Sequence, residues 1–340
     1  MRCLHNEYLI VLYKFHFFNI YIYLYMYYYI VDCGSTGTRV IQFDKQKKTI
    51  IQNKILEFGP IVSLIQFYSE PHKLQKENIT KQLLKVYKLN ICSFIKLIIK
   101  QLKSPSIIYF GCTGGVRKFI KQNNKNKPVI KSFDIFYNCL KELSTKKIQI
   151  KFDKYYITSA NECAYEYLSC LYLASLFKKP QPTGVIGIGG SSIQISFENG
   201  RKCVKIPFSE NIGYSQITDQ LRYPEKKVES MVIKKLKKQF NKQKLKGVYY
   251  GTEALYYTFV LYKLHNKQYK IPQIINIVKD LRTKNPENKV LINLIIIQNL
   301  LDICFDETAT IIVQVEFGNK SNKLATSWVF GKFVNLITNK

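Results

Sequence analysis

Twice in this chain a hydrophobic strand runs into a short loop of glycine, serine and threonine and returns at once as a second strand. The first instance is Tyr28–Val31, the loop Asp32-Cys-Gly-Ser-Thr-Gly37, then Arg39–Phe43. The second is Gly184–Ile188, the loop Gly189-Gly-Ser-Ser192, then Ile193–Glu198. Such a loop lets several backbone N–H groups converge on one anion, while Ser and Thr add hydroxyl donors. Taken singly, each loop reads better as a hairpin turn. Two of them, with a third Gly-rich stretch at Gly111-Cys-Thr-Gly-Gly-Val-Arg117, point to phosphate.

The rest of the chain alternates in period. Ile50–Phe58 extends the first pair of strands into a meander after the polar turn Lys45-Gln-Lys-Lys48. Glu77–Leu102 is amphipathic with a helical period and stops before Pro105. Ile107–Phe110 reads as a short buried strand, Ser132–Leu143 as a helix and Ile148–Phe152 as a strand. Thr158-Ser-Ala-Asn-Glu162 opens a helix that runs to Leu176, and Lys178-Lys-Pro-Gln-Pro182 breaks it. Strands alternating with helices predict an α/β fold. The repeated motif predicts two half-molecules, with their loops facing across a cleft. In Glu225–Lys246, residues Val228, Val232, Leu236 and Phe240 recur at i, i+4 among lysines. A basic amphipathic helix can meet a membrane or nucleic acid; the reading preferred here packs its apolar side on a core.

The net charge of +29 is almost entirely lysine, with only six arginines among 340 residues. Nucleic-acid binders usually gather Arg, Lys and aromatics on one face; here Lys, Asn, Ile and Tyr rise together, so no nucleic-acid partner is expected. A positive field favours polyanionic substrates. Nine cysteines without a CxxC pair, and only four histidines, argue against a zinc site. The sequons at Asn78 and Asn319 favour a secretory route. Phe15–Val31 carries no formal charge and is close to a membrane span in length. It reads either as a signal anchor or as an atypical N-terminus, because Tyr28–Val31 is also needed as a core strand.

The residues around these loops resemble a known family. Asp32-Cys-Gly-Ser-Thr-Gly-Thr-Arg39 is similar to the first conserved motif of the nucleoside triphosphate diphosphohydrolases (apyrases) and the related Golgi nucleoside diphosphatases. Gly111–Arg117 resembles the second motif, Thr158–Tyr167 the third, Gly184–Phe197 the fourth and Ser327-Trp-Val-Phe-Gly331 the fifth, in the family's order. The resemblance implies two actin-like, ribonuclease-H-like lobes with the active site in the cleft between them. The expected division is residues 1–26 as a hydrophobic, Tyr-rich N-terminal segment, 27–157 plus 326–340 as lobe I, and 158–325 as a trimmed lobe II.

It also implies roles. Glu162 matches the general base, although Ser159-x-x-Glu162 also reads as a helix capping box. Ser192 and Gln194 match residues that hold the attacking water, and Thr113 a hydroxyl that polarises phosphate. Ser35, Thr36, Gly37, Gly189, Gly190 and Ser191 would cradle phosphates. Arg39 and Arg117 would bind phosphate or make structural ion pairs. Tyr257 would stack on the base or pack in the core. Asp32 matches one of two aspartates that hold hydrated Mg²⁺ or Ca²⁺.

The position of the second aspartate holds Gly187. Cys163 and Tyr167 replace a glycine and a tryptophan of the third motif. The expected function is divalent-metal-dependent hydrolysis of terminal phosphates of nucleoside tri- and diphosphates, in the secretory pathway or at the cell surface. The alternatives are a catalytically impaired nucleotide-binding relative, favoured by Gly187, and an exopolyphosphatase.

Overall fold

The computed structural model describes residues 27–34, 37–46, 49–58, 77–122, 127–153, 155–188, 192–207, 225–240, 244–284, 288–319 and 322–338. The hydrophobic segment 1–26 lies outside them. Among the described residues no helix is long and apolar enough to cross a membrane. Contacts divide the chain into two units, Met1–Ile157 and Thr158–Lys340.

The first unit is built on strands β1 (Tyr27–Cys33), β2 (Thr38–Gln46), β3 (Thr49–Phe58), β4 (Ser106–Cys112) and β5 (Ile148–Phe152), in the sheet order β3-β2-β1-β4-β5. The first three form the antiparallel meander read from the sequence; β4 and β5 then join parallel to β1. Parallel neighbours need a crossover, usually helical. Helix α1 (Glu77–Lys100) supplies the first; α2 (Gly114–Gln122) and α3 (Lys127–Leu143) supply the second. Ile91, Ile95 and Ile98 fall on one side of α1 at helical spacing. They are buried in one cluster with Phe133, Phe136 and Leu140 of α3. A disulfide, Cys92–Cys139, fastens the two helices.

The second unit begins with α4 (Ser159–Leu176), followed by the hairpin strands β6 (Gly184–Ile188), β7 (Ser192–Phe197) and β8 (Lys202–Pro207). After α5 (Glu225–Gln239) come β9 (Val248–Glu253), α6 (Ala254–Leu261), β10 (Lys267–Lys270), α7 (Ile271–Thr283), α8 (Asn288–Cys304) and β11 (Thr310–Val313). The small ribbon β12 (Glu316–Asn319) and β13 (Asn322–Ala325) precedes α9 (Trp328–Thr338). The main sheet runs β10-β11-β9-β6-β7-β8. Its antiparallel β6-β7-β8 meander with β9 and β11 parallel beyond β6 repeats the plan of the first unit. The fold is therefore the expected α/β class, two ribonuclease-H-like units in one chain.

The lysine-rich helix α5 buries Val228, Val232 and Leu236 in the core of this unit, with Phe240 packed at its edge. That accounts for its apolar stripe without a membrane or a nucleic acid. Residues 326–340 were expected with the first lobe; by contacts they fall in the second unit. The cause is Gly331, where any side chain would run into the carbonyl oxygen of Tyr165, so α9 lies backbone-close along α4. Lys332 Nζ donates to the Tyr165 hydroxyl (2.8 Å), and Ser327 N donates to Ser169 Oγ (3.1 Å) along the same seam.

Candidate functional site

In the first unit, β1 and β4 end together. Asp32 lies beside Gly111, and Cys33 beside Cys112, in parallel register. Gly34 N donates to Gly37 O (2.9 Å) across the loop, and Thr113 N donates to Cys33 O (3.3 Å), tying the two strand ends. A Cβ on Gly37 would stand 3.1 Å from the carbonyl oxygen of Phe58, so the turn is held against β3 where only glycine fits easily. Ser35 and Thr36, expected in the phosphate cradle, lie outside the described residues. A hydrogen bond with Cys112, and then burial, push the Cys33 thiol well above its ordinary range.

Asp32 closes β1 opposite Arg39. Arg39 Nη1 lies 3.7 Å from Asp32 Oδ2, and its Nε donates to Glu57 Oε1 at 3.1 Å. Of the two roles open to Arg39, the ion pair is present. The third Gly-rich stretch is not a hairpin turn. It is a strand-to-helix junction, with Thr113 buried between β4 and the first residue of α2, and Arg117 in the first turn of α2. Arg117 N donates to Thr113 O (3.0 Å). Its buried guanidinium donates from Nη1 to the carbonyl of Ile157 (2.7 Å), the last residue of the unit.

In the second unit, the cap of α4 settles one ambiguity. Thr158 is the N-cap, and its side chain accepts from Asn161 N at 3.2 Å. The capping box needs the carboxylate three residues after the cap; Glu162 comes one residue later, so Ser159-x-x-Glu162 does not form one. Glu162 is nevertheless buried, at 8% exposure, in the first turn. The neighbouring Cys163, which replaces a glycine of the family pattern, has a structural reason: it forms a disulfide with Cys203 of β8. Tyr167 is buried, and its hydroxyl donates to Pro182 O (3.2 Å).

Gln194 lies on β7 directly opposite Gly187 of β6. It is buried, and its Oε1 finds no hydrogen-bond partner among the described residues. Ser192 opens β7 opposite Pro207; its side chain, and the loop residues Gly189, Gly190 and Ser191, lie outside the description. Tyr257 on α6 is 63% exposed and meets Tyr256 edge-on, while Tyr256 takes the core position. Tyr257 is thus not the core residue that one of its two readings required.

Sequence reasoning missed Glu166. It is buried one turn beyond Glu162 on α4 and borders a cavity of about 50 Å³ with Cys170, Thr252, Thr326, Ser327 and Trp328. Burial, and next the charge of Glu166, push the Cys170 thiol well above its ordinary range. A signal was available: in a lysine-rich chain, α4 carries two acids and no basic residue.

A sequence model of the GDA1/CD39 (nucleoside phosphatase) family matches residues 25–227, which includes both Gly/Ser loops and the start of α4. No curated protein matches the chain. Among solved structures, the Ppx/GppA family member of Aquifex aeolicus is 17% identical with a TM-score of 0.54, over 92% of this chain and 98% of that one. A second structure of an Aquifex aeolicus PPX-GPPA enzyme is 19% identical with a TM-score of 0.51, over 91% and 99%. At these identities the likeness concerns the fold. The family match spans more than half of the chain and contains both Gly/Ser loops: this chain belongs to the GDA1/CD39 family of nucleoside phosphatases.

Proposed function

We propose that the chain is a divalent-metal-dependent phosphohydrolase that removes terminal phosphates from nucleoside tri- and diphosphates. The observation that carries this reading is Glu162, a buried carboxylate in the first turn of α4 whose helix is already capped by Thr158. In the reaction, water attacks the terminal phosphorus, the bond to the bridging oxygen breaks, and Glu162 takes the water's proton. Gln194 and Ser192 hold that water, the Gln194 amide oxygen being buried with acceptor capacity to spare.

Thr113 donates to a phosphate oxygen from the strand-to-helix junction. Ser35, Thr36, Gly37, Gly189, Gly190 and Ser191 cradle phosphates. Arg39 and Arg117 steady the ends of that cradle through Asp32, Glu57 and the Ile157 carbonyl. The exposed ring of Tyr257 offers a face for the base to stack on.

Carboxylate and hydroxyl oxygens are the hard donors that suit Mg²⁺ or Ca²⁺. The partly buried strand-end carboxylate of Asp32 fits such an ion through its waters; the bound ion would neutralise charge on the phosphates. The disulfides Cys92–Cys139 and Cys163–Cys203 support residence in an oxidising compartment such as the secretory pathway. Anchoring through residues 1–26 belongs to the same reading. A second reading, a relative that binds nucleotides without turning them over, is favoured by Gly187.

The test is phosphate release by the full chain from ATP, ADP, GDP, UDP and polyphosphate, with Mg²⁺, Ca²⁺ or a chelator. Metal-dependent nucleotide turnover that Glu162→Gln lowers by about 10²–10⁴-fold is the expected result. Turnover untouched by Glu162→Gln would remove the base assignment. No turnover by folded protein would favour the second reading, and turnover of polyphosphate alone would make the chain an exopolyphosphatase.

A further inference from the structure

Position 187 is the counterpart of Asp32. Asp32 faces Arg39 across its hairpin and Gly111 on its parallel side. Gly187 faces Gln194 across its hairpin and Thr252 on its parallel side, with the same spacing between hairpin partners. In both units the parallel neighbour leads into a helix, α2 after β4 and α6 after β9. One unit has a carboxylate at this place and the other has a glycine.

The space at Gly187 is taken by a carboxylate all the same. A Cβ built on Gly187 would stand 2.9 Å from Oε2 of Glu166 and 3.6 Å from its Oε1. Directly opposed residues of an antiparallel pair share a face. Glu166 therefore presents its carboxylate on the face that carries Gln194, whose buried Oε1 has no hydrogen-bond partner among the described residues. Glu166 is itself only 7% exposed and borders the cavity beside Thr252 and Thr326. Glycine at 187 admits this carboxylate; alanine would already press on it.

We infer that Glu166 supplies, from helix α4, the carboxylate that the first unit takes from its own strand at Asp32. Gly187 and Glu166 together make room, within the second unit, for a hydrated divalent cation. The inference rests on the metal-dependent reading above and deepens it. The longer glutamate side chain spans the distance from helix to strand. The carboxylate has moved to another element, so Gly187 is no longer an argument for lost activity.

The test follows Mn²⁺ by electron paramagnetic resonance in the full chain, with a non-hydrolysable imido nucleoside triphosphate, beside thermal unfolding without metal. Glu166→Gln keeps the shape and removes the charge. It is expected to weaken Mn²⁺ binding about 10–100-fold without lowering the metal-free midpoint. The double variant Glu166→Ala/Gly187→Asp returns a carboxylate from the strand and is expected to recover most of the affinity. Glu166→Ala alone should not.

Equal Mn²⁺ affinity in wild type and Glu166→Gln overturns the inference and leaves the proposed reaction standing. So does a lowered metal-free midpoint with unchanged affinity, which would make Glu166 structural. If the double variant does not fold, Glu166→Gln decides alone. If wild type binds no Mn²⁺ and hydrolyses nucleotides with a chelator present, the metal-dependent reading fails and this inference with it.

Discussion

The two hairpins β1–β2 and β6–β7 share a register and a place in their sheets, yet they draw their acids from different elements. In the first, Asp32 is part of the strand, and the hydrogen bonds Gly34 N to Gly37 O and Thr113 N to Cys33 O hold its surroundings. In the second, the strand carries Gly187, and both buried acids, Glu162 and Glu166, come from α4. A strand residue is positioned by its own ladder. A helix residue is positioned only as well as its helix is docked. The first unit thus depends on register, and the second on what holds α4: the close seam with α9 and the disulfide from Cys163 to β8.

This contrast can be broken most forcefully at the seam. Gly331→Ala places a methyl group against the carbonyl of Tyr165, a backbone atom that cannot swing aside. It is expected to cost about 3 kcal/mol or more, read in chemical denaturation. Turnover should fall even where the protein remains folded, because α4 carries the acids. A Gly331→Ala protein with wild-type stability and turnover would show that docking of α4 does not govern the site.

The disulfides offer a matched pair. Replacing either Cys163 and Cys203, or Cys92 and Cys139, by serine is expected to destabilise by about 2–4 kcal/mol. Only the first pair should also weaken metal binding and lower kcat in the fraction that stays folded, since Cys163 adjoins Glu162. The second pair joins α1 to α3, within a different unit from the α4 acids, and should act on stability alone. Equal effects of both pairs on metal affinity would remove the distinction between the units.

The smallest effect lies in acid. A hydrogen bond from Arg282 holds Glu229 below its ordinary range, against the opposing effect of burial. A carboxyl depressed in the folded state contributes stability above its unfolded pKa and loses it as pH falls through the folded value. Glu229→Gln should therefore cost up to about 1 kcal/mol near neutral pH and nothing at the acid end. Thermal midpoints across pH would show the two curves converging on acidification; parallel curves would mean the pair contributes nothing that titrates.

Much of this arrangement was legible in the sequence. The meander, the strand Ile148–Phe152 and the long helix after Thr158 follow from period. The apolar stripe of the lysine-rich helix foretold its burial. These are local properties, fixed by neighbours within a turn or a strand. The family was legible from motif resemblance, again a local matter, and the roles proposed for Asp32, Thr113, Glu162 and Gln194 rest on the same motifs.

What the sequence left open depended on residues far apart in the chain. The choice of cap moved by a single residue, from Ser159 to Thr158, because only the folded backbone decides which hydroxyl meets Asn161 N. Cysteine pairing could not be read from spacing, since Cys163 finds Cys203 only after β8 has paired with β7. Above all, the sequence made Gly187 a missing carboxylate and said nothing of Glu166. Composition and motif count residues position by position, whereas a site needs an atom in a place. Helix and strand can each deliver that atom, and only their packing determines which of them does.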